Sequence, residues 1–228
     1  MSIRTTAAKT TLAAALAASA ALGLAACGSS DSSGVAPAAA TSDTSHPSPV
    51  ATVPSVKGGS TAVALDAGFT QALTSLGLTP GTIGSATLNG STISFPISGG
   101  TVTVYDKDSG YRPWVQGALF HAGSGLSLTA GGTSVQLQDF TIDPGKPARL
   151  FGSVSVNGQL AVADAPLFDL NGKNLGAPTT DANGNTVLQG TQVTISPEAA
   201  ALLDSTFKTD AVKAGLLVGV ATITVQTK

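Results

Sequence analysis

Hydrophobic and polar residues alternate along several segments of the chain, most clearly in the segment 133–143 (TSVQLQDFTID). There Val135 and Leu137 are separated by polar glutamines, which is the two-residue period of a half-buried β-strand. The segment 117–128 (GALFHAGSGLSL) precedes it, and the residues Ala-Gly-Gly at 130–132 predict a turn between the two. We therefore predict a central β-hairpin, around which the other strands are arranged.

Further strands are predicted on both sides of this hairpin. Asn89-Gly90 and Asn157-Gly158 each stand between short apolar segments and are typical of tight type I′ turns. Turn signals recur about every 8–12 residues, as in sandwich folds. The pattern predicts a mainly β fold, an antiparallel β-sandwich of about ten strands, with its apolar last strand in the middle of a sheet. Besides the hairpin, the predicted strands span residues 61–65, 84–88, 91–97, 101–105, 111–119, 150–156, 159–163, 166–170, 186–195 and 216–225.

One or two short helices complete the predicted fold. In the segment 196–207, Ser196 is a favourable N-cap and Glu198 complements the positive end of the helix dipole. A shorter helix is predicted for residues 66–77, and a further helical turn for 210–214. The residues of the 196–207 helix expected to cover the core are Ala199, Leu202, Leu203 and Phe207.

The N-terminal residues predict export. Arg4 and Lys9 precede a run of Ala and Leu that is shorter than the roughly 20 apolar residues of a membrane-spanning helix. Leu24-Ala25-Ala26-Cys27 resembles the lipobox of bacterial lipoproteins, in which the cysteine is acylated and becomes the new N-terminus. We predict a lipoprotein signal peptide at 1–26, lipidation of Cys27 and a location on the outer face of the cell membrane. A plain secretory signal with a chance cysteine is the alternative.

The segment 27–55 is rich in Ser, Ala, Thr and Pro and has no apolar period. Such a composition buries too little surface to offset the entropy of ordering, so we predict a disordered tether. His46 lies in it and is not expected to be a ligand. The remaining residues, 56–228, suit a single domain. Because Cys27 is the only cysteine, this domain has no internal disulfide and depends on its core.

The charge of the chain argues against some partners. Its net charge is −2, and loss of residues 1–26 would remove Arg4 and Lys9 but no acid, leaving −4. Nucleic acids and anionic membranes are bound by clusters of basic residues. We therefore expect no nucleic-acid partner and a membrane contact through the lipid anchor, while a small molecule or an envelope protein remains open as a ligand.

Residues for catalysis are sparse. Ser124 lies between two glycines but lacks the spacing of a G-x-S-x-G elbow, and His121 is the only histidine of the predicted domain. A Ser–His pair would also need a third group to orient the base. No cluster of His and Cys suggests zinc or copper. An envelope hydrolase is therefore the weakest hypothesis, and we expect no enzyme.

Two loops resemble fragments of calcium-binding loops. They are residues 106–110 (DKDSG) and 181–185 (DANGN), and neither continues to the bidentate glutamate of an EF-hand. Short clusters of Asp, Asn and Gly are also common in the turns of β proteins. We prefer Asx turns without a metal.

Four polar aromatic residues lie close together in the sequence: Tyr105, Tyr111, Trp114 and His121. Tyrosine and histidine can be axial ligands of haem iron, and tryptophan can stack on the macrocycle. The alternative is that Trp114 fills the core and the tyrosines lie at strand edges. We retain all four as candidate ligand-binding residues.

Several of these segments resemble a domain of exported actinobacterial proteins. The similar motifs lie at 94–100 (SFPISGG), 100–104 (GTVTV), 117–128, 133–143, 196–200 (SPEAA) and 215–224, and they span most of residues 65–225. The order of elements is more remotely similar to HtaA-type haem-binding domains, which carry a Gly-His-Gly-Gly turn after a Phe-bearing strand. Here His121 directly follows Phe120, and Gly123 stands at about the position of the ligand. This resemblance implies a β-rich domain that binds haem, and our haem hypothesis takes Tyr111 or His121 as the ligand.

Two main hypotheses follow. The first is a lipid-anchored envelope protein that serves as a non-catalytic binding or structural module. The second is a protein for the binding and uptake of haem or porphyrin.

Overall fold

The computed structural model describes residues 46–228, which belong to one unit of the chain. The predicted signal peptide, the predicted lipidation of Cys27 and the tether before His46 lie outside the described residues. Within 46–228, neither helix has the length and apolar character needed to cross a membrane.

The described residues form a single antiparallel sheet of 13 strands. The first seven strands are β1 (Ala51–Val53), β2 (Gly58–Leu65), β3 (Thr79–Gly84), β4 (Thr87–Asn89), β5 (Thr92–Pro96), β6 (Gly99–Val104) and β7 (Val115–Ala130). The other six are β8 (Thr133–Asp143), β9 (Arg149–Val156), β10 (Gln159–Asn171), β11 (Thr179–Thr180), β12 (Thr186–Ile195) and β13 (Leu217–Gln226). The mainly β, antiparallel class predicted from the sequence is confirmed.

The strands follow the order β1-β6-β7-β8-β9-β10-β12-β13-β2-β5-β4, with β11 paired to β12 and β3 to β7. Strand β13 lies between β12 and β2, in the interior of the sheet as predicted. Strand β5 also contacts β7, so the sheet curls into a half-closed shell. The two layers expected of a sandwich are thus parts of one continuous sheet, because long strands can bend at bulges.

A bulge in β8 decides which residues reach the core. Val135 and Leu137 alternate inward as predicted, but the next buried residue is Phe140. The period breaks at Asp139, which has a φ of +55°, and the pairing with β9 shifts between Gln138 and Thr141. The Phe140 ring then packs edge-to-face on Phe95, at a centroid distance of 5.1 Å.

Two helices pack on the sheet, α1 (Ala67–Ser75) on β3 and β13, and α2 (Pro197–Phe207) on β10. The caps agree with the sequence: Asp66 accepts a hydrogen bond from the Gly68 N–H, and Ser196 accepts one from Ala199. Ser196 also donates to the Pro166 carbonyl of β10 at 2.6 Å, which ties the start of α2 to the sheet. The predicted core face of α2 is confirmed, with Ala199 and Leu203 buried and Leu202 and Phe207 half-buried on the core.

Several local predictions need correction. The residues 210–214 are not helical, and the predicted strands 159–163 and 166–170 are one strand, β10, whose pairing with β9 is interrupted by bulges. Asn157-Gly158 has the two positive φ angles of a type I′ turn, but the first hairpin turns at Gly90-Ser91, since Asn89 still pairs with Thr92.

The ordered part of the domain also begins earlier than predicted. Residues 51–53 form β1, which pairs with β6, and they fall within the segment assigned to the tether. Three short strands, β1, β4 and β11, have two or three residues each, too few to show a hydrophobic pattern of their own. The 13 strands of the sheet exceed the roughly ten predicted from the sequence.

Candidate functional site

His121 lies in the interior of a strand, next to a bulge at the glycine-containing residues that follow it. Residues 115–130 form one strand, β7, whose pairing with β8 shifts between His121 and Gly125. Gly123, with a φ of +73°, takes the conformation that this bulge requires. The imidazole is buried beside the bulge, and His121 is only 1% exposed.

Both ring nitrogens of His121 have partners. Nδ1 lies 3.2 Å from the carbonyl oxygen of Phe140, and Nε2 lies 2.8 Å from the hydroxyl of Thr61. A carbonyl only accepts, so Nδ1 carries the proton and the Thr61 hydroxyl donates to Nε2. Burial lowers the pKa of His121 to about 4, while the hydrogen bond to Phe140 acts in the opposite direction. The imidazole is therefore neutral at neutral pH.

Ser124 does not form a catalytic pair with His121. Its hydroxyl donates to the main-chain carbonyl of His121 at 3.0 Å and is itself fully buried. A nucleophile and its base must share a hydrogen bond, and here the two side chains have other partners. This geometry argues against the hydrolase hypothesis.

His121 borders an inner cavity of about 100 Å³. Core side chains of the sheet and of both helices line it, among them Phe69, Leu73 and Leu203. An apolar cavity of about 150 Å³ accommodates one benzene molecule, so the inner cavity is too small for haem. His121 is thus not placed as an iron ligand in a haem-sized site.

Tyr105 and Tyr111 lie together in the connection between β6 and β7. Their rings meet edge-to-face at 4.7 Å, and the ring of His46 lies 5.3 Å from that of Tyr111. His46 therefore packs on the domain, although the sequence assigned it to the tether. None of the three lines the inner cavity or the Trp114 cavity described next.

Trp114 borders a second cavity, of about 490 Å³, which we call the Trp114 cavity. Residues of three connections line its mouth: 105–114 between β6 and β7, 144–148 between β8 and β9, and the turn 172–174 after β10. These connections meet because alternate loops of an antiparallel meander lie at the same end of the sheet. Of the four predicted ligand residues, Trp114 and His121 thus lie at different cavities, and the tyrosines lie apart from both.

The walls of the Trp114 cavity are apolar and its mouth is basic. Val102, Leu119, Leu175 and Leu188 are buried wall residues, whereas Arg112, Lys146 and Lys173 are exposed at the mouth. No Asp, Glu, His, Cys, Met or Tyr lines this cavity, so it offers none of the common protein ligands of haem iron. The residues shared with the inner cavity, which form a partition between the two, are Ile142, Leu170, Thr191 and Ile223.

Sequence reasoning missed this cavity and its three cations. Arg112, Lys146 and Lys173 stand alone in separate loops, up to 61 positions apart in the chain. The only signal in the sequence was their place in alternate connections between strands. In an antiparallel meander such connections lie at the same end of the sheet. That signal becomes useful only once the strand order is known.

The two acidic loops are Asx turns in the structure. The Asp106 carboxylate accepts from the Asp108 N–H at 2.9 Å. The Asp181 carboxylate accepts from the N–H groups of Asn183 and Asn185 and from the Asn185 side chain, which lowers its pKa. No group of three or more potential metal ligands was found among residues 46–228.

Comparisons with known proteins give similarities of fold. No family model matches the chain, and the search of curated proteins gave no significant match. The crystal structure of the C-terminal domain of HtaA from Corynebacterium glutamicum matches with 14% identity and a TM-score of 0.49, over 75% of this chain and 99% of that chain. A domain-swapped dimer of a variant of that domain matches with 16% identity and a TM-score of 0.42, over 70% of this chain and 92% of that one. The remote similarity to HtaA-type domains predicted from the sequence is therefore found, as a similarity of fold alone.

Proposed function

We propose that this protein is a lipid-anchored module of the cell envelope that binds a small, largely apolar molecule and catalyses no reaction. The observation that carries the proposal is the Trp114 cavity, whose volume of about 490 Å³ falls in the range of roughly 300–1,000 Å³ of small-molecule sites. Its lining supplies apolar surface but no carboxylate, imidazole or thiol for acid–base or nucleophilic chemistry.

The cavity can be tested through its own fluorophore, because Trp114 is the only tryptophan of the chain. We expect the neutral probe N-phenylnaphthylamine to bind saturably to the full-length protein and to accept excitation energy from Trp114. The variant Val102→Phe, which enlarges a buried wall residue of this cavity, should abolish this binding. Ala161→Phe adds the same ring at an exposed position of β10 and should leave binding unchanged. A wild-type protein that binds no probe, or equal binding by both variants, would contradict the proposal.

The anchoring part of the proposal concerns Cys27. Acylation at this residue would hold the domain at the membrane, and two or more acyl chains make such attachment stable. The variant Cys27→Ala should therefore release the protein from the membrane fraction into the medium, whereas a serine substitution elsewhere in the Ser- and Ala-rich segment should not. Retention of Cys27→Ala in the membrane fraction would refute the anchoring.

Haem or porphyrin binding is the alternative function. The observation that favours it is the contact between Tyr111 and His46, two side chains able to bind iron, at the protein surface. Haem added to the purified protein should then give a Soret band that Tyr111→Phe abolishes, with His121→Ala as the comparison for the buried histidine. If the wild-type spectrum is that of free haem, this alternative is wrong.

A further inference from the structure

The mouth of the Trp114 cavity is unusually basic for this chain. The protein has only 11 Lys and Arg residues against 13 Asp and Glu, with a net charge of −2. Nevertheless Arg112, Lys146 and Lys173 meet at one cavity that no acidic residue lines. The charge at this mouth is therefore opposite in sign to that of the whole chain.

These cations have no carboxylate partner in the described part of the chain. The ion pairs found among residues 46–228 belong to Arg149, with Asp169 and Glu198. The nearest acid in sequence to Lys146 is Asp143, whose carboxylate accepts from the Gly145 N–H at 2.8 Å and does not line the cavity. The Nη1 of Arg112 donates to the Tyr111 carbonyl at 2.8 Å, and the guanidinium retains further N–H donors for a ligand.

The wall behind the cations is mainly aliphatic. Leu119 and Leu188 are buried in it, and Trp114 is the one aromatic side chain. A flexible hydrocarbon chain packs well on an aliphatic surface. A flat aromatic ligand would gain more from stacking on several aromatic rings, which this wall does not provide. Unpaired cations beside a low-dielectric wall attract anions, and Arg and Lys bind carboxylate and phosphate groups well.

We infer that the Trp114 cavity binds an acyl chain that ends in an anionic group, a carboxylate or a phosphate. The anionic group lies among Arg112, Lys146 and Lys173, and the chain extends along the aliphatic wall toward the partition at Ile142 and Ile223. This inference rests on the proposed function, to which it adds the class of ligand.

The contribution of the cations can be separated from that of the aliphatic wall by measuring the binding of dodecanoate and of uncharged dodecanol to the full-length protein. Both should quench or shift the fluorescence of Trp114, and dodecanoate should bind about ten-fold more tightly, because only its carboxylate meets the cations. Added salt should weaken the binding of dodecanoate and not that of dodecanol. Within a series of carboxylates, each added CH2 group should tighten binding about four-fold until the chain reaches the partition.

Matched charge variants test the role of the three cations. The triple variant Arg112→Gln, Lys146→Gln, Lys173→Gln should weaken dodecanoate binding about ten-fold and leave dodecanol binding unchanged. The control changes the net charge equally at exposed residues that do not line this cavity: Lys57→Gln, Lys213→Gln, Lys228→Gln. It should bind both compounds as the wild type does.

The outcomes distinguish the inference from the proposed function. If dodecanol binds as tightly as dodecanoate and the triple variant has no effect, the inference about charge is overturned while the binding cavity stands. If neither compound nor N-phenylnaphthylamine binds, the proposed function fails as well. A comparison of lysophosphatidate with dodecanoate identifies the source of the anionic group. Tighter binding of lysophosphatidate would indicate a lipid headgroup, and tighter binding of dodecanoate would indicate a free fatty acid.

Discussion

The buried histidine makes the stability of this domain depend on pH in a definite way. Burial lowers the pKa of His121 from its ordinary value of 6.5 to about 4. Below about pH 6.5 the unfolded chain takes up a proton at this residue and the folded chain does not, so the unfolded state binds more protons. Stability is therefore lost as the pH falls from about 6.5 to about 4, and this group causes no further loss below that.

The size of the effect follows from the shift in pKa. One pKa unit corresponds to about 1.4 kcal/mol, so the free energy of unfolding should fall by about 2 kcal/mol between pH 7 and pH 5 and by about 3 kcal/mol at pH 4. For a domain of this length, about 2 kcal/mol corresponds to a decrease in Tm of roughly 4–8 °C. Denaturant unfolding at several pH values measures the free energy directly.

Two variants isolate the contribution of His121. His121→Gln removes the titrating group, so the pH dependence above about pH 5 should largely disappear, even though lost hydrogen bonds lower the stability at every pH. Thr61→Val also loses a buried hydrogen bond but keeps the imidazole, and it should retain the slope of the wild type. Equal slopes for His121→Gln and the wild type would refute this reasoning.

Three further predictions concern the fold. Leu203→Ala should destabilise the domain by about 2–5 kcal/mol, because Leu203 is a buried residue of α2. Phe207→Ala, at a half-buried residue of the same helix, should lower the Tm less. An unchanged Tm for both variants would mean that α2 is not part of the core. Gly100→Ala should cost more than about 1 kcal/mol, because Gly100 has a φ of +137° and an added Cβ would lie 2.1 Å from the Ala118 carbonyl. At Gly99 an added Cβ would meet no atom within 4 Å, so Gly99→Ala is the matched control in the same thermal denaturation. Millimolar calcium, compared with a chelator, should not change the Tm, since the Asp181 loop is closed by its own hydrogen bonds; a calcium-dependent increase would contradict the Asx-turn interpretation.

Local chemistry determined much of the fold. The hairpin of β7 and β8, the caps of both helices and the strand Thr186–Ile195 were predictable because side-chain period, capping and turn propensity act over a few neighbouring residues. The position of β13 in the sheet interior was predictable for a related reason, since a strongly apolar strand is unfavourable at an edge. The type of element therefore followed from the sequence wherever the pattern was long enough to be recognised.

The site depended on contacts between distant residues. In the sequence His121 was a candidate ligand-binding residue. Only the bulge opposite Asp139 and the partner Thr61, 60 positions away, make it a buried neutral imidazole. The cluster of aromatics in the sequence separated into different places, because successive strand residues point to opposite faces and loops project from the ends. Arg112, Lys146 and Lys173 come together through the strand order alone. Pairing register and sheet curvature are set by the packing of the whole chain, and so the cavity and its charge were decided by the tertiary structure.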